Sequence, residues 1–191
     1  ISASYSNSFN DVDTLRGDAY TPFYSDNYNE TRLVFSSKVI SKINSRNTLQ
    51  VGTIVEHFFF NFYDEEHRLG AEEVIHDTDI QDNTGLYQGF VQLKHSISDN
   101  LFINAGLHGQ VFALNGSAMV EPRLGVRYNL NSQHALSLGY GLHGQTHPKF
   151  IYFVRTNHPN SPNDYTLTNR ELGFSKSHHF VAGYDYRINA N

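Results

Sequence analysis

Between Leu86 and Gln145 the chain alternates apolar with polar side chains through four long runs joined by very short turns. In the second run Leu101, Ile103, Ala105, Leu107, Val111 and Ala113 share one parity, and Phe102, Asn104, Gly106, His108 and Gln110 hold the other. The third sets Val120, Leu124, Val126, Tyr128 and Leu130 against Glu121, Arg123, Arg127 and Asn129. The fourth sets Leu136, Leu138, Tyr140 and Leu142 against Ser137, Gly139, Gly141, His143 and Gln145. A period of two is the mark of strands with unlike faces. Here one face is uncharged and the other carries charged and amide side chains.

The rest of the chain is read the same way. Residues 1–10 alternate weakly and predict a strand. Residues 31–43, 48–63 and 178–188 predict three more, although Phe58, Phe59 and Phe60 in succession blur the second. Residues 11–30 and 64–84 are rich in Asp, Asn, Ser and Tyr or in acidic residues, and read as long polar loops. Residues 146–177 hold three of the five prolines and read as the longest irregular stretch. Short turns are expected at 44–47, 98–100 and 131–134, with a two-residue type I′ hairpin at Asn115-Gly116. Short turns at one end, long loops at the other and an uncharged outer face describe an antiparallel, up-and-down transmembrane β-barrel. The whole of 1–191 reads as a single barrel segment of about eight strands.

Register is testable on paper, because turns fix which residues lie opposite each other. Centring hairpins on Asp99, Asn115-Gly116 and Gln133 gives rows across four strands. They are Gln88, Gln110, Glu121, Gln145; Phe90, His108, Arg123, His143; Gln92, Gly106, Gly125, Gly141; and Lys94, Asn104, Arg127, Gly139. In this scheme Gln88, Lys94, His108, Gln110, Glu121, Arg123, Arg127 and His143 line the lumen. Pro122 lacks an N–H for the ladder and predicts a bulge or an unpaired position near the rim. The glycine row reads either as a flat surface on which something docks or as strain relief in a curved sheet.

Composition narrows the functions. A net charge of −5 and a pI near 6.1 do not supply the basic footprint of a nucleic-acid binder. The chain has no cysteine, which removes thiolate and disulfide chemistry. Eleven histidines invite a metal, but His143 and His147 do not converge on a strand leading into a loop. His178 and His179 point to opposite faces, so no metal or other cofactor is expected. The acidic stretch from Asp64 to Asp82 lacks the oxygen-ligand spacing of an EF-hand. No nucleophile elbow, P-loop or zinc-protease motif occurs, and Glu121 beside Arg123 reads as a lumen charge pair, so no enzyme is expected. Loop aromatics (Tyr20, Phe23, Tyr24, Tyr28, Tyr152, Phe153, Tyr165) suit either stacking on a ligand or packing of the loops, with packing favoured. The first residues, ISASYSNSFNDV, have neither a charged n-region nor an apolar h-region and read as strand interior. A piece of a longer chain is the expectation.

The segments EPRLGVRYNLNSQHALSLGYGLHGQTHPKFIYF and KSHHFVAGYDYRI resemble the barrel of a TonB-dependent receptor of the Bacteroidota type. The resemblance spans roughly residues 48–188. It implies a barrel of about 22 strands around an N-terminal plug in the Gram-negative outer membrane. It also implies energy-coupled nutrient import and several partners: outer-membrane lipid, the plug and remaining strands, a TonB-type coupling protein and a surface lipoprotein. The chain departs from that pattern in carrying no plug, no energy-coupling box and only about eight strands. Two other readings stay open: a complete eight-stranded barrel acting as anchor or adhesin, and a soluble all-β ligand-binding module. The last requires Leu107, Leu124 and Leu138 to be buried in a dry core.

Overall fold

In a computed structural model the chain is all-β, and residues 1–16, 21–67, 74–158 and 161–188 are described. Its strands are β1 (Ser2–Arg16), β2 (Thr21–Lys42), β3 (Asn47–His67), β4 (Val74–Ser96), β5 (Leu101–Phe112), β6 (Ser117–Asn129), β7 (His134–Gln145), β8 (Arg155–His158), β9 (Ser161–Leu167) and β10 (Ser175–Tyr186). Eight of them form one antiparallel up-and-down sheet in the order β1-β2-β3-β4-β5-β6-β7-β10. The connection from β7 to β10 holds a 3-10 turn, Lys149–Phe153, and the separate hairpin β8-β9. Among the described residues no pairing joins β1 to β10.

The described residues of two expected loops, 11–16 with 21–30 and 64–67 with 74–84, are strand instead. β1 to β4 run for 15, 22, 21 and 23 residues, against 12 or 13 in β5 to β7. Their ladders carry on through polar sequence, as in the row Asp26, Asp64, Thr78. Alternation fades there in the sequence, while backbone hydrogen bonds need no apolar face to continue. The middle of the acidic stretch lies outside the described residues.

The three short turns share one device. The side-chain oxygen of Asn44 accepts the N–H groups of Arg46 (2.9 Å) and Asn47 (2.8 Å). Ser98 Oγ does the same for Asn100 (3.3 Å) and Leu101 (3.2 Å), and Asn131 Oδ1 for Gln133 (2.9 Å) and His134 (3.0 Å). Such Asx and Ser turns fix where the chain reverses. At Asn131 the device centres the turn on Ser132, not Gln133. At the opposite end Asn115-Gly116 is not a two-residue hairpin. Ala113 to Gly116 form a four-residue turn closed by Gly116 N–H to Phe112 O at 2.9 Å, with Gly116 at φ +73°. Each correction slides its partner strand by two residues. Faces therefore survive, since an even shift keeps parity, but the rows change.

The β4-β5 rows stand as expected: Gln88 faces Gln110, Phe90 His108, Gln92 Gly106 and Lys94 Asn104. Beyond β5 they become Gln92, Gly106, Arg123, Gly141, His179 and Lys94, Asn104, Gly125, Gly139, Val181. Arg123 is thus flanked by Gly106 and Gly141, not by His108 and His143. Pro122 causes no bulge against β5, where it faces Leu107. The β6-β7 ladder, however, ends at Arg123 and Gly141, next to the proline.

One sheet face is apolar and open. Leu107, Leu124 and Leu138 stay 52%, 48% and 65% exposed, so no dry core covers them. Odd residues of 31–41, 49–59, 85–95 and 101–111 and even residues of 118–128 and 136–142 share this face. None of them is Asp, Glu, Lys or Arg. The other face carries a small core at its long-loop end. Phe58, Phe60, Phe62, Leu86 and Phe112 pack there with Tyr152 and Phe153 of the 3-10 turn. The Phe triplet resolves by parity: Phe58 and Phe60 turn inward, whereas Phe59 is 46% exposed.

Candidate functional site

The eight residues expected to line a lumen all lie on the polar face, and five of them join in one network. It starts on β2, where Arg32 pairs with Glu56 at 2.5 Å. Gln88 Nε2 donates to Glu56 Oε1 at 2.6 Å. Gln88 Oε1 lies 3.0 Å from His108 Nε2, and His108 Nδ1 lies 3.0 Å from Glu121 Oε2. Arg123 donates to the same oxygen at 2.7 Å, and Gln110 Nε2 donates to Glu121 Oε1 at 2.6 Å. The cord crosses β2 to β6 and reaches β7, because Glu121 Oε1 also accepts the N–H of Gly144 at 2.8 Å.

Donor and acceptor roles follow from the carboxylates, which only accept. Glu56 claims the amide nitrogen of Gln88, which turns its oxygen toward His108; Glu121 presents a second oxygen to the other ring nitrogen. Facing a carboxylate oxygen, His108 Nδ1 is the ring nitrogen that donates to Glu121. Glu121 is 1% exposed and its four acceptor contacts come from Gln110, Gly144, Arg123 and His108. A buried carboxylate satisfied in this way keeps its charge without an orphaned lone pair.

The remaining expected residues sit outside the cord. Lys94 Nζ lies 5.5 Å from the centre of the Phe102 ring. Arg127 pairs with Asp185 across β7 at 2.5 Å, with both side chains exposed. His143 meets His179 of β10 edge to face, ring centres 4.8 Å apart.

These groups open on a cavity of about 660 Å³ that spans β3 to β10. Gln50, Gln92, Asn104, Arg123, His143 and His179 face it. The glycines of this sheet face divide in two. A Cβ on Gly52 would stand 2.5 Å from the Phe90 ring and 2.7 Å from Ser37 O, so local packing demands glycine there, and one on Gly106 would sit tightly, 3.1 Å from Val91 O. Gly125 and Gly139, paired side by side, have nothing nearer than 3.9 Å. Local packing does not require them to be glycine.

The long-loop end closes over the aromatic core. Lys149 is buried with its Nζ 4.0 Å from the centre of the Phe58 ring. Burial pushes its ammonium below the usual lysine range, opposed by Glu30 and Glu56 and aided by Arg32. Burial likewise raises the Tyr152 hydroxyl, although the His147 N–H donates to it at 3.1 Å. Tyr28 stacks on Phe150 at 5.2 Å, Tyr152 leans on Phe112 at 5.2 Å, and Phe153 packs on Phe60 at 5.5 Å. Tyr165 lies beneath the Arg155 guanidinium at 4.5 Å. These four loop aromatics pack within the protein; the side chains of Tyr20, Phe23 and Tyr24 lie outside those described.

Arg32, Glu56, Gly144 and Lys149 join the site without having been singled out in the sequence, and His179, weighed there only as a metal ligand, joins them. Arg32 and Glu56 share the polar parity of their strands, so continuing the register from β4 through β3 to β2 finds them. Lys149 carries no periodic signal. Among the described residues no three His, Asp or Glu side chains converge to hold a metal ion. No protein-family model, curated protein or solved structure matches this chain.

Proposed function

We propose that the chain is part of the wall of an outer-membrane β-barrel, one stave set of a TonB-dependent receptor that imports bulky nutrients. The observation that carries this reading is the uncharged, solvent-open face of the sheet, backed by a polar opposite face. Hydrocarbon tolerates only such a surface at its midplane, and a strand of about 10 residues crosses it. Tyr128, Tyr184 and Tyr186 near the short-turn end suit an interfacial aromatic girdle, with Phe59 and Tyr87 toward the other. The unjoined strands β1 and β10 favour a larger barrel over a complete eight-stranded one. An eight-stranded barrel pairs its first and last strands and fills its narrow interior with side chains. Here the polar face keeps an open cavity, and Val181 on it is 64% exposed. In this role the wall supplies polar contacts to a passing solute and no covalent chemistry.

The deciding experiment is the intact mass of the polypeptide extracted from membranes in detergent. A mass several times 21.7 kDa supports the receptor. A mass near that value, with heat-modifiable gel migration, means a self-contained small barrel. Recovery in the aqueous fraction overturns both.

A further inference from the structure

The cavity on the polar face has no assigned occupant, and its chemistry selects one. Arg123 uses one of its terminal nitrogens on Glu121, while its side chain stays 46% exposed. A guanidinium carries five N–H donors in a planar fork suited to an oxyanion. The fork is held, not floppy, because Glu121 is itself anchored by Gln110, His108 and the backbone of Gly144. Charge favours an anion as well. The Glu121 carboxylate is already taken up by four donors, Arg123 among them. The only carboxylate among the cavity's lining residues, that of Glu121, is buried and saturated, so none faces an incoming anion.

Space is arranged around the same guanidinium. On β5 its direct neighbour is Gly106, and on β7 it is Gly141, over which the His143 ring folds. His143 would meet an added Cβ on Gly141 at 2.6 Å, which places its imidazole beside Arg123, with His179 behind it. Two residues further along the strands, Gly125 and Gly139 leave a bare patch of backbone where larger side chains would fit. Amides of Gln92 and Asn104 border that patch and supply further donors. A volume of about 660 Å³ is that of a small-molecule pocket.

We infer that this cavity binds a small organic oxyanion, its carboxylate or phosphate group seated on Arg123 and His143 and its body lying over Gly125 and Gly139. The inference rests on the lumen reading, in which this face is wetted and open to solute.

The test is calorimetric titration of the full chain in detergent with citrate, with inorganic phosphate and with a neutral disaccharide. Saturable binding of citrate or phosphate is expected, and the tighter of the two identifies the head group. Arg123→Gln should weaken it at least tenfold. Because that change also strips a partner from Glu121, Gly125→Val and Gly139→Val serve as variants that touch no member of the hydrogen-bonded cord. Each should weaken binding of citrate by severalfold while leaving the melting temperature in place. Absence of saturable binding at millimolar anion, binding indifferent to all three substitutions, or preference for the disaccharide would each overturn the inference. Gel migration of the same sample with and without heating reports separately on the barrel. A heat-modifiable protein that binds no anion loses the site alone; a water-soluble protein that binds citrate keeps the site and loses the membrane reading.

Discussion

Glu121 Oε1 accepts the backbone N–H of Gly144 at 2.8 Å, a hydrogen bond that an intact ladder would not leave to a side chain. Extending the β6-β7 register past Arg123 and Gly141 would set Gly144 opposite Val120, yet pairing stops beside Pro122. Gln110 Nε2 completes the repair by donating to Gly144 O at 3.0 Å. Two side chains thus satisfy both backbone groups of one residue. Glycine leaves room for them, since a Cβ at 144 would press on Met119 Sδ and stand 3.0 Å from Gln110 Nε2.

Glu121→Gln should therefore destabilise the sheet. The new amide turns an N–H toward existing donors, leaving at least one buried group unpaired at a cost of about 1–3 kcal/mol. Urea unfolding in detergent measures it, and amide exchange at Gly144 should speed up in the variant. Unchanged exchange at Gly144 would refute the repair.

The two classes of glycine predict opposite outcomes. Gly52→Ala drives a methyl against Ser37 O and the Phe90 ring, and overpacking of that kind costs about 1–3 kcal/mol. Gly139→Ala meets nothing closer than 3.9 Å and should be neutral or stabilising, because alanine restricts the unfolded chain. Paired thermal melts decide between them.

Lys149 predicts a pH dependence. Its folded-state pKa lies below the ordinary lysine value, so between the two the unfolded chain holds more protons than the folded one. Stability of the docked 3-10 turn should then rise with pH through the region just below the usual lysine value and level off above it. Lys149→Met should abolish that slope. At neutral pH it also loses a cation–π contact worth about 0.5–2 kcal/mol. Fluorescence of Tyr152 against pH, in both forms, provides the readout.

The outer face makes the membrane reading quantitative. Leu124→Arg or Leu138→Arg should cost about 2–4 kcal/mol for folding into lipid vesicles if these positions sit at the midplane. In an aqueous sheet the same changes at half-exposed sites should cost almost nothing.

Which side chain faces which way was legible from period-two alternation alone, and every residue expected on the polar face from Gln88 to His143 lies there. Which residues sit opposite each other was legible only between β4 and β5. The tighter reading of Asn115-Gly116 and the unrecognised Asx turn at Asn131 each displaced a strand by two residues, an error that parity conceals. As a result Glu121 pairs with His108, and Arg123 has glycine neighbours. The upper halves of β1 to β4 were illegible for a different reason. A ladder that runs on through polar sequence is held by its backbone and leaves no imprint on the order of polar and apolar residues. Lys149 was hidden because its role depends on a loop folding back onto Phe58 from more than 90 residues away in sequence.

The unequal strand lengths give the sheet a skyline. Above the level where Leu86 faces Phe112, β4 continues for 12 more residues to Val74, roughly 40 Å of strand at the usual rise per residue. β5 and β6 turn back almost at once. The β1 to β4 side therefore stands as a parapet, while over the low β5 to β7 side the segment after β7 folds down, Asn115 Nδ2 donating to Arg170 O and Leu172 O. With Tyr152 buried against Phe112 just inside this rim, the long-loop end is walled on one side and roofed on the other.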